Sequence, residues 1–175
     1  ILPTVSFKFY TGNPTFIGVS YPKDGDVISI YIRSNVSVYK PIRMDFNILN
    51  VASDVSSKYS ESGSDPEGKG INLRFNIVAE CRIPGIYTNR IKSFSSLNSH
   101  DTLLEVSQDL NLGFSSNDKS LADKMTWICP NYSYYDFIQE VSLRSYKDDD
   151  TSFYDCWIDP YYNLNFVNLG SQFAF

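Results

Sequence analysis

Few side chains in this sequence have the types and spacing that catalysis needs. His100 is the only histidine, so a Ser-His-Asp or Cys-His arrangement would have to use it. It lies beside Asp101 at the expected start of a helix, and the sequence contains no Gly-x-Ser-x-Gly motif for a nucleophile. A fragment of a hydrolase is therefore an alternative that rests on one residue, and we predict that the chain is not an enzyme.

Paired acids for glycoside cleavage would have to come from the five glutamates, which are Glu61, Glu67, Glu80, Glu105 and Glu140. Two of them fall in a polar loop, two on expected helices and one at the end of a strand, so no pair is convincing. The glycines occur singly, and the sequence therefore predicts no phosphate-binding loop.

An acidic run is the best candidate for a metal site. Asp148–Asp150, with Asp155 and Asp159 nearby, could offer oxygen ligands to a divalent cation, but the spacing is not that of an EF-hand. A solvated turn after a helix is the better interpretation. The three cysteines are odd in number and share no metal-ligand spacing, so we expect reduced, buried thiols and neither a metal nor a cofactor; they are Cys81, Cys129 and Cys156.

Composition narrows the possible partners. The 175 residues carry a net charge of -5, which argues against a nucleic-acid groove, although an acidic wall is still compatible with a channel that DNA passes without sticking. Aromatic residues make up 15% of the chain and favour strands and protein interfaces. No apolar run is long enough to cross a membrane, so we predict no membrane insertion. The chain begins with Ile1 rather than Met, and we expect it to be a piece of a longer polypeptide.

Residues 1–95 read as an antiparallel β-barrel part. Alternating or short apolar runs predict strands over Thr4–Tyr10, Phe16–Val19, Val27–Ile32, Val36–Tyr39, Ile42–Ile48, Ile71–Glu80 and Ile86–Phe94. Asp24-Gly25 is a turn signal between two of these strands. Ser53–Gly70 is polar and without apolar period, which predicts a long exposed loop.

Residues 96–175 add two short helices and two strands, and a boundary near Ser95 separates this part from the first. The first helix is predicted to start at Ser99 and to end at a left-handed Gly113. Its predicted apolar face consists of Leu103, Leu104, Ser107 and Leu110.

The second helix starts at Ser133, with Asp136 at the capping-box spacing. Its predicted apolar face is Phe137, Ile138 and Val141, and Lys147–Asp150 stops it. A polar connector separates the two helices, and aromatic strands follow over Phe153–Ile158 and Leu164–Val167. Together the patterns predict a mainly β (α+β) fold, an antiparallel barrel or bent sheet that the two helices complete or flank.

The aromatic residues of the second part form the densest cluster in the chain: Tyr132, Tyr134, Tyr135, Phe153, Tyr154, Trp157, Tyr161, Tyr162 and Phe166. Core packing explains part of it, and a protein interface explains the rest. Because the strand over Phe153–Ile158 has large apolar side chains on both faces, we expect a neighbour to cover it. The candidate interface residues are Tyr135, Trp157, Tyr161 and Tyr162, together with the Ser53–Gly70 loop.

The order of motifs in the second half resembles a known family. The residues that carry the resemblance are Thr102, Leu103, Leu104, Leu110, Leu112 and Gly113, then Asn131, Ser133, Asp136, Phe137 and Ile138, then Trp157-Ile158-Asp159 with Tyr162-Asn163-Leu164-Asn165-Phe166-Val167. This arrangement resembles the hub proteins of contractile tails, which include phage baseplate hubs, late control protein D and the spike proteins of type VI secretion. The first half resembles them only in its strand pattern.

The resemblance implies a barrel of the tail-tube type and a structural role in the virion, at the tail baseplate, after assembly in the host cytoplasm. A hub of this kind is a homo-oligomer, with a trimer expected, that joins the tail tube protein to the spike protein and contacts other baseplate proteins. It encloses the channel for tape measure and DNA, so DNA is only passing cargo. The alternatives are a type VI secretion spike hub component and a carbohydrate-binding β module of a phage tail.

Overall fold

The computed structural model describes residues 1–36, 38, 40–56, 72–147 and 153–173. They form two compact units, Thr4–Arg82 and Ile83–Phe175, the second of which also includes Ile1–Pro3. The elements are β1 (Thr4–Thr11), α1 (Pro14–Val19), β2 (Val27–Ile32), β3 (Ile42–Ser56), β4 (Asn72–Cys81), β5 (Asn89–Leu97), α2 (Ser99–Asp109), β6 (Gly113–Ser116), β7 (Met125–Ser133), α3 (Tyr134–Arg144), β8 (Tyr154–Ile158), β9 (Asn163–Asn168) and α4 (Gly170–Phe173). The predicted mainly β class is confirmed.

The first unit is one curled antiparallel sheet in the order β1-β4-β3-β2. Strict alternation builds it, because every second side chain of a strand points to the same face. Phe7 lies opposite Ile77, and Phe46 lies opposite Ile28, so the apolar rows of all four strands share the concave face. The fully buried members of these rows come from the two central strands: Met44, Phe46, Ile48, Phe75, Ile77, Ala79 and Cys81.

A short helix replaces one predicted strand in this unit. Asn13 caps α1 by accepting hydrogen bonds at Oδ1 from the N–H groups of Thr15 and Phe16 at 2.9 and 3.4 Å. Pro14 follows the cap at the first helical position, where its fixed φ suits a helix start. The strand predicted over Phe16–Val19 is therefore wrong, and Asn-Pro was the overlooked signal. The Phe16 ring packs edge-on against Phe9 at 5.7 Å.

Two other predictions for this unit need correction. Val36 and Val38 lie outside any strand, while Ser37 and Tyr39 are not among the described residues, so the strand predicted over Val36–Tyr39 is not found. β3 continues to Ser56, so the first residues of the predicted Ser53–Gly70 loop pair with β4. The rest of that loop, residues 57–70, lies outside the described residues.

The second unit begins with a turn and then a two-stranded sheet of β5 and β7. Gly85 has a φ of +80°, and the N–H groups of Ile86 and Thr88 close successive turns around it. β5 therefore starts at Asn89, three residues after the predicted start, and the boundary predicted near Ser95 falls within this strand.

The two predicted helices are present, with one cap shifted. Asn98, rather than Ser99, caps α2, since its Oδ1 accepts from the N–H of Asp101 at 2.8 Å. The left-handed residue after α2 is Asn111, with a φ of +55°, and not Gly113. Leu104 is only half-buried, so the apolar face of α2 centres on Val106 instead.

The cap of α3 is the predicted one, because Ser133 Oγ accepts from the N–H of Asp136 at 3.1 Å. Phe137, Ile138 and Val141 are fully buried, as the pattern predicted. The helix ends at Arg144, and the acidic residues 148–150 lie outside the described part of the chain.

Strands occupy most of the predicted connector between the helices. β6 pairs with β9 in parallel, so the pairing is not wholly antiparallel as predicted, and β8 completes the sheet order β6-β9-β8. β7 pairs with β5, and Phe94 and Trp127 stand opposite each other on its buried side. Phe94 also stacks on Phe137 of α3 with the ring centres 5.4 Å apart.

Gly113 is required where β6 meets β9. A Cβ at this position would stand 1.9 Å from Oδ1 of Asn163, whose amide Nδ2 donates to Asp159 Oδ2 at 3.0 Å. The Asn163 side chain thus occupies the space that only a glycine leaves open.

We expect Gly113→Ala to lower the free energy of unfolding by about 1–3 kcal/mol, since the added methyl forces Asn163 from its place. Urea unfolding followed by tryptophan fluorescence measures this, because both tryptophans, Trp127 and Trp157, belong to the second unit. In an Asn163→Ala background the same substitution should cost far less. Equal costs in both backgrounds would contradict the explanation.

Candidate interaction surface

Three of the four predicted interface residues come together at one hairpin. Trp157 lies in β8 with 37% of its surface exposed, and Tyr161, which is 66% exposed, follows in the turn with Tyr162. Tyr135 lies elsewhere, in the first turn of α3, where its ring centre is 5.2 Å from that of Tyr87. The structure therefore separates the predicted set into an aromatic hairpin and a tyrosine pair.

Asp159 holds the hairpin turn in a single shape. Its carbonyl accepts from Tyr162 N–H and its own N–H donates to the Asn163 carbonyl, both at 3.0 Å. Its carboxylate Oδ1 accepts from the N–H groups of Tyr161 and Asn163, both at 2.9 Å. Burial raises the pKa of this carboxyl group, but the hydrogen bonds outweigh it, so the pKa lies below its ordinary value of 3.8. Asp159, a candidate metal ligand in the sequence, thus uses its carboxylate to hold the turn.

Tyr162 sits in the left-handed backbone region, with a φ of +61°. The position follows Pro160 and Tyr161 in a turn closed from Asp159, where glycine is the usual residue. A side chain with a Cβ costs roughly 1–2 kcal/mol in this region. Strain of this kind, kept where glycine would relieve it, is typical of residues that serve a function.

One face of β8 remains uncovered by the described residues of its unit. Tyr154, Cys156 and Ile158 are buried against the core, whereas Phe153 before the strand is 61% exposed. Trp157 stands on the exposed side, directly opposite Asn165 of β9. The neighbour that was expected to cover this face therefore stays a prediction.

A second uncovered face belongs to the sheet of β5 and β7. We define the ribbon face as the outward side chains Ile91, Ser93, Ile128 and Pro130, which pair across the two strands as Ile91 with Pro130 and Ser93 with Ile128. All four are exposed, Ile91 by 84% and Ile128 by 57%. None carries a charge, although aliphatic side chains this exposed are normally interspersed with charged ones.

The charged side chains of β5 point to the other side of the sheet. Lys92 Nζ lies 2.7 Å from Asp109 Oδ2 of α2, and the Tyr134 hydroxyl donates to the same oxygen. The Arg90 guanidinium lies 4.7 Å from the centre of the Tyr134 ring. Burial raises the pKa of Asp109, but Lys92 and Tyr134 outweigh it and the pKa falls below 3.8. Burial, followed by the Asp109 carboxylate, raises the pKa of Tyr134.

A similar network links the segment after β6 to β8. Lys147 Nζ lies 3.0 Å from Asp118 Oδ2, and the Tyr154 hydroxyl donates to that oxygen at 3.1 Å. Asn168 Nδ2 approaches the same hydroxyl at 3.5 Å. In each network one carboxylate joins a lysine and a buried tyrosine from separate elements. Both networks tie elements of the unit together.

Of the residues considered for catalysis, Glu61 and Glu67 lie outside the described part of the chain. His100 is buried, with Nδ1 2.8 Å from Asp101 Oδ1 and its ring 5.2 Å from that of Phe114. Among the described residues, no three His, Cys, Asp or Glu side chains lie close enough together to hold a metal ion.

All three cysteines are buried and unpaired, in agreement with the prediction. Burial is the main reason that the pKa rises to about 11 for Cys81 and to about 12 for Cys156, which disfavours the reactive thiolate.

Comparisons with known proteins assign the chain to no group. No protein-family model matches the sequence, and a search of curated proteins finds no match either. Within the described ranges, no helix has the length and apolar character to cross a membrane.

Sequence reasoning missed the ribbon face. The sequence predicts a polar connector where β7 lies, although Trp127 and Cys129 alternate with Thr126 and Ile128 in a strand-like pattern. Alternation over so few residues, interrupted by Pro130, was too weak to distinguish a strand from a loop. The pairing with β5, more than 30 residues earlier, leaves no local trace in the sequence.

Tyr162→Gly tests whether the hairpin keeps its tyrosine at a cost. We expect Tyr162→Gly to have a free energy of unfolding about 0.5–1 kcal/mol higher than Tyr162→Ala, because both variants lose the half-buried ring and only glycine relieves the left-handed strain. The same pair of substitutions at Tyr161 is the matched control, and there glycine should be no more stable than alanine. Urea unfolding measures all four variants, and a Tyr162→Gly variant no more stable than Tyr162→Ala would contradict the assignment of strain.

Proposed function

We propose that the chain is a structural component of a contractile tail, part of the hub at the centre of a phage baseplate. In this role it joins the tail tube to the spike and surrounds the channel for tape measure and DNA. The order of motifs from Thr102 to Val167, which resembles that of hub proteins, supports the proposal. A spike hub of type VI secretion, with the same architecture in another machine, is the nearest alternative.

The observation that carries the proposal is the uncharged ribbon face. Apolar surface exposed to water is unfavourable, so its burial against another protein lowers the free energy, and contiguous apolar patches mark sites of association. Here Ile91 and Ile128 project from adjacent strands, while Arg90 and Lys92 are directed to the opposite side of the sheet. A component whose work is to bind its neighbours permanently needs a surface of this kind.

The aromatic hairpin supports the same proposal as a second contact surface. Its turn is held rigid by Asp159, so little conformational entropy is lost when Trp157 and Tyr161 pack against a partner. Tyr and Trp are also the side chains most often found at the energetic centre of interfaces. Two separated surfaces suit a subunit that has a neighbour on each side, as a closed ring requires.

The net charge suits a channel component. A chain with a charge of -5 repels the phosphate backbone and gives passing DNA no clustered lysines and arginines to bind. The oligomer is therefore expected to contact DNA only as cargo.

Replacing Ile91 and Ile128 together with lysine tests the role of the ribbon face. We expect sedimentation velocity to show a shift of the wild-type oligomer to monomer, because two charges would have to be buried in the contact. Stability of the monomer should change little, since both side chains are exposed.

Leu143→Lys is the matched control, because Leu143 is 83% exposed on α3 and lies outside the ribbon face. It should leave the oligomer unchanged. Oligomers that survive the double substitution, or dissociate equally in the control, would contradict the assignment of the ribbon face.

A further inference from the structure

The curled sheet of the first unit has two strand edges that the described residues do not pair. β1 bonds only to β4 and β2 only to β3 among these residues, so each has one side without a neighbouring strand. Unpaired edges present a row of backbone N–H and C=O groups that another strand can join. β1 is the longer of the two, with eight residues and regular alternation.

An apolar cleft lies between these two edges. It has a volume of about 400 Å³, and its walls come from Phe7 and Phe9 of β1, from Val27 and Ile28 of β2, and from Phe16, Ser20 and Pro22 of the segment that joins these strands. Ile77 of β4 contributes to its floor. Phe7, Phe9 and Ile28 are only half-buried, although they belong to the same inward rows as the fully buried side chains of the central strands.

We propose that β1 binds an extended strand of a partner protein along its free edge. The backbone of that strand continues the sheet, and every second side chain enters the cleft between Phe9 and Ile28. This is strand addition, in which main-chain hydrogen bonds supply affinity and alternate side-chain pockets supply specificity. The inserted side chains must be apolar, because the lining of the cleft is apolar apart from Ser20 and Asp26.

Lys8 indicates which charge the partner strand carries beside it. It points outward between Phe7 and Phe9, opposite Asn76 of β4, and forms no ion pair with the described residues. A strand added to β1 places its own outward side chains beside Lys8, where opposite charges stabilise a cross-strand pair. The partner strand therefore carries an acidic residue beside Lys8, flanked by the apolar side chains that enter the cleft. Two copies joined through β1 would instead bring their Lys8 side chains to one face.

This inference goes beyond the proposed hub function and does not rest on it. The ribbon face and the aromatic hairpin belong to the second unit, whereas the cleft and β1 belong to the first. Loss of binding at the ribbon face or the aromatic hairpin therefore leaves binding at β1 unaffected, and the reverse also holds. Each proposal can thus be contradicted without the other.

The test uses the full chain and a fluorescein-labelled peptide of four Glu-Val repeats. We expect fluorescence anisotropy to show saturable binding, and NMR to show the largest amide shifts along β1. A peptide of four Lys-Val repeats should bind at least about threefold more weakly, the factor that a cross-strand charge pair of roughly 0.7 kcal/mol gives. A Glu-Val peptide N-methylated at alternate residues should not bind, because it cannot continue the sheet.

Lys8→Glu is the decisive variant, since the side chain is exposed and the substitution leaves the cleft intact. It should reverse the preference, so that the Lys-Val peptide binds better than the Glu-Val peptide. Absence of binding by the Glu-Val peptide, equal binding of the N-methylated peptide, or an unchanged preference in Lys8→Glu would overturn the proposal. Amide shifts confined to β2, or association of the chain through β1 with itself, would do the same.

Discussion

The two-sidedness of a β-strand is the constraint on which the rest of this structure depends. Each strand sends alternate side chains to opposite faces, and a sheet of two or three strands is stable only where something covers an apolar face. In the sheet of β5 and β7 the helices cover the side that carries Phe94 and Trp127. The side that carries Ile91 and Ile128 has no such cover among the described residues. That imbalance is the physical basis of the proposed role in an assembly.

The polar networks increase the difference between the two sides of the β5–β7 sheet. Asp109 pairs with Lys92 and accepts from the Tyr134 hydroxyl on the helix side of the sheet, and Arg90 lies over the ring of the same tyrosine. The cations of β5 thus have their partners inside the unit, and none stands on its outward face. The same contacts fix β5 against α2 and α3, so the outward face is presented on a rigid support. Rigidity of this kind reduces the entropy that association costs.

The sequence predicted those features that local patterns determine. Strict alternation marked β1 and β3, and a serine cap followed by Asp136 marked the start of α3. Prediction from the sequence was wrong where another local signal competed with apolar periodicity. Asn13-Pro14 starts a helix in a segment that reads as a short apolar strand.

The candidate surfaces likewise divide into one that local sequence predicts and one that only long-range strand pairing creates. Trp157, Tyr161 and Tyr162, three of the four predicted interface residues, meet in one hairpin because they are close in the sequence, whereas Tyr135 lies on α3. The ribbon face was not predicted, since Ile91 and Ile128 become neighbours only when β5 and β7 pair. Long-range pairing depends on packing of the whole unit, which no short stretch of sequence records. The strained φ of Tyr162 is likewise visible only in the folded backbone.

In the proposed hub role, this chain assembles with copies of itself and with a tail tube. The most direct test of this role is the mass in solution by light scattering, measured with and without the candidate tail-tube protein. We predict a stable trimer whose mass increases when the tube protein is added. A chain that remains monomeric and ignores the tube protein would contradict it.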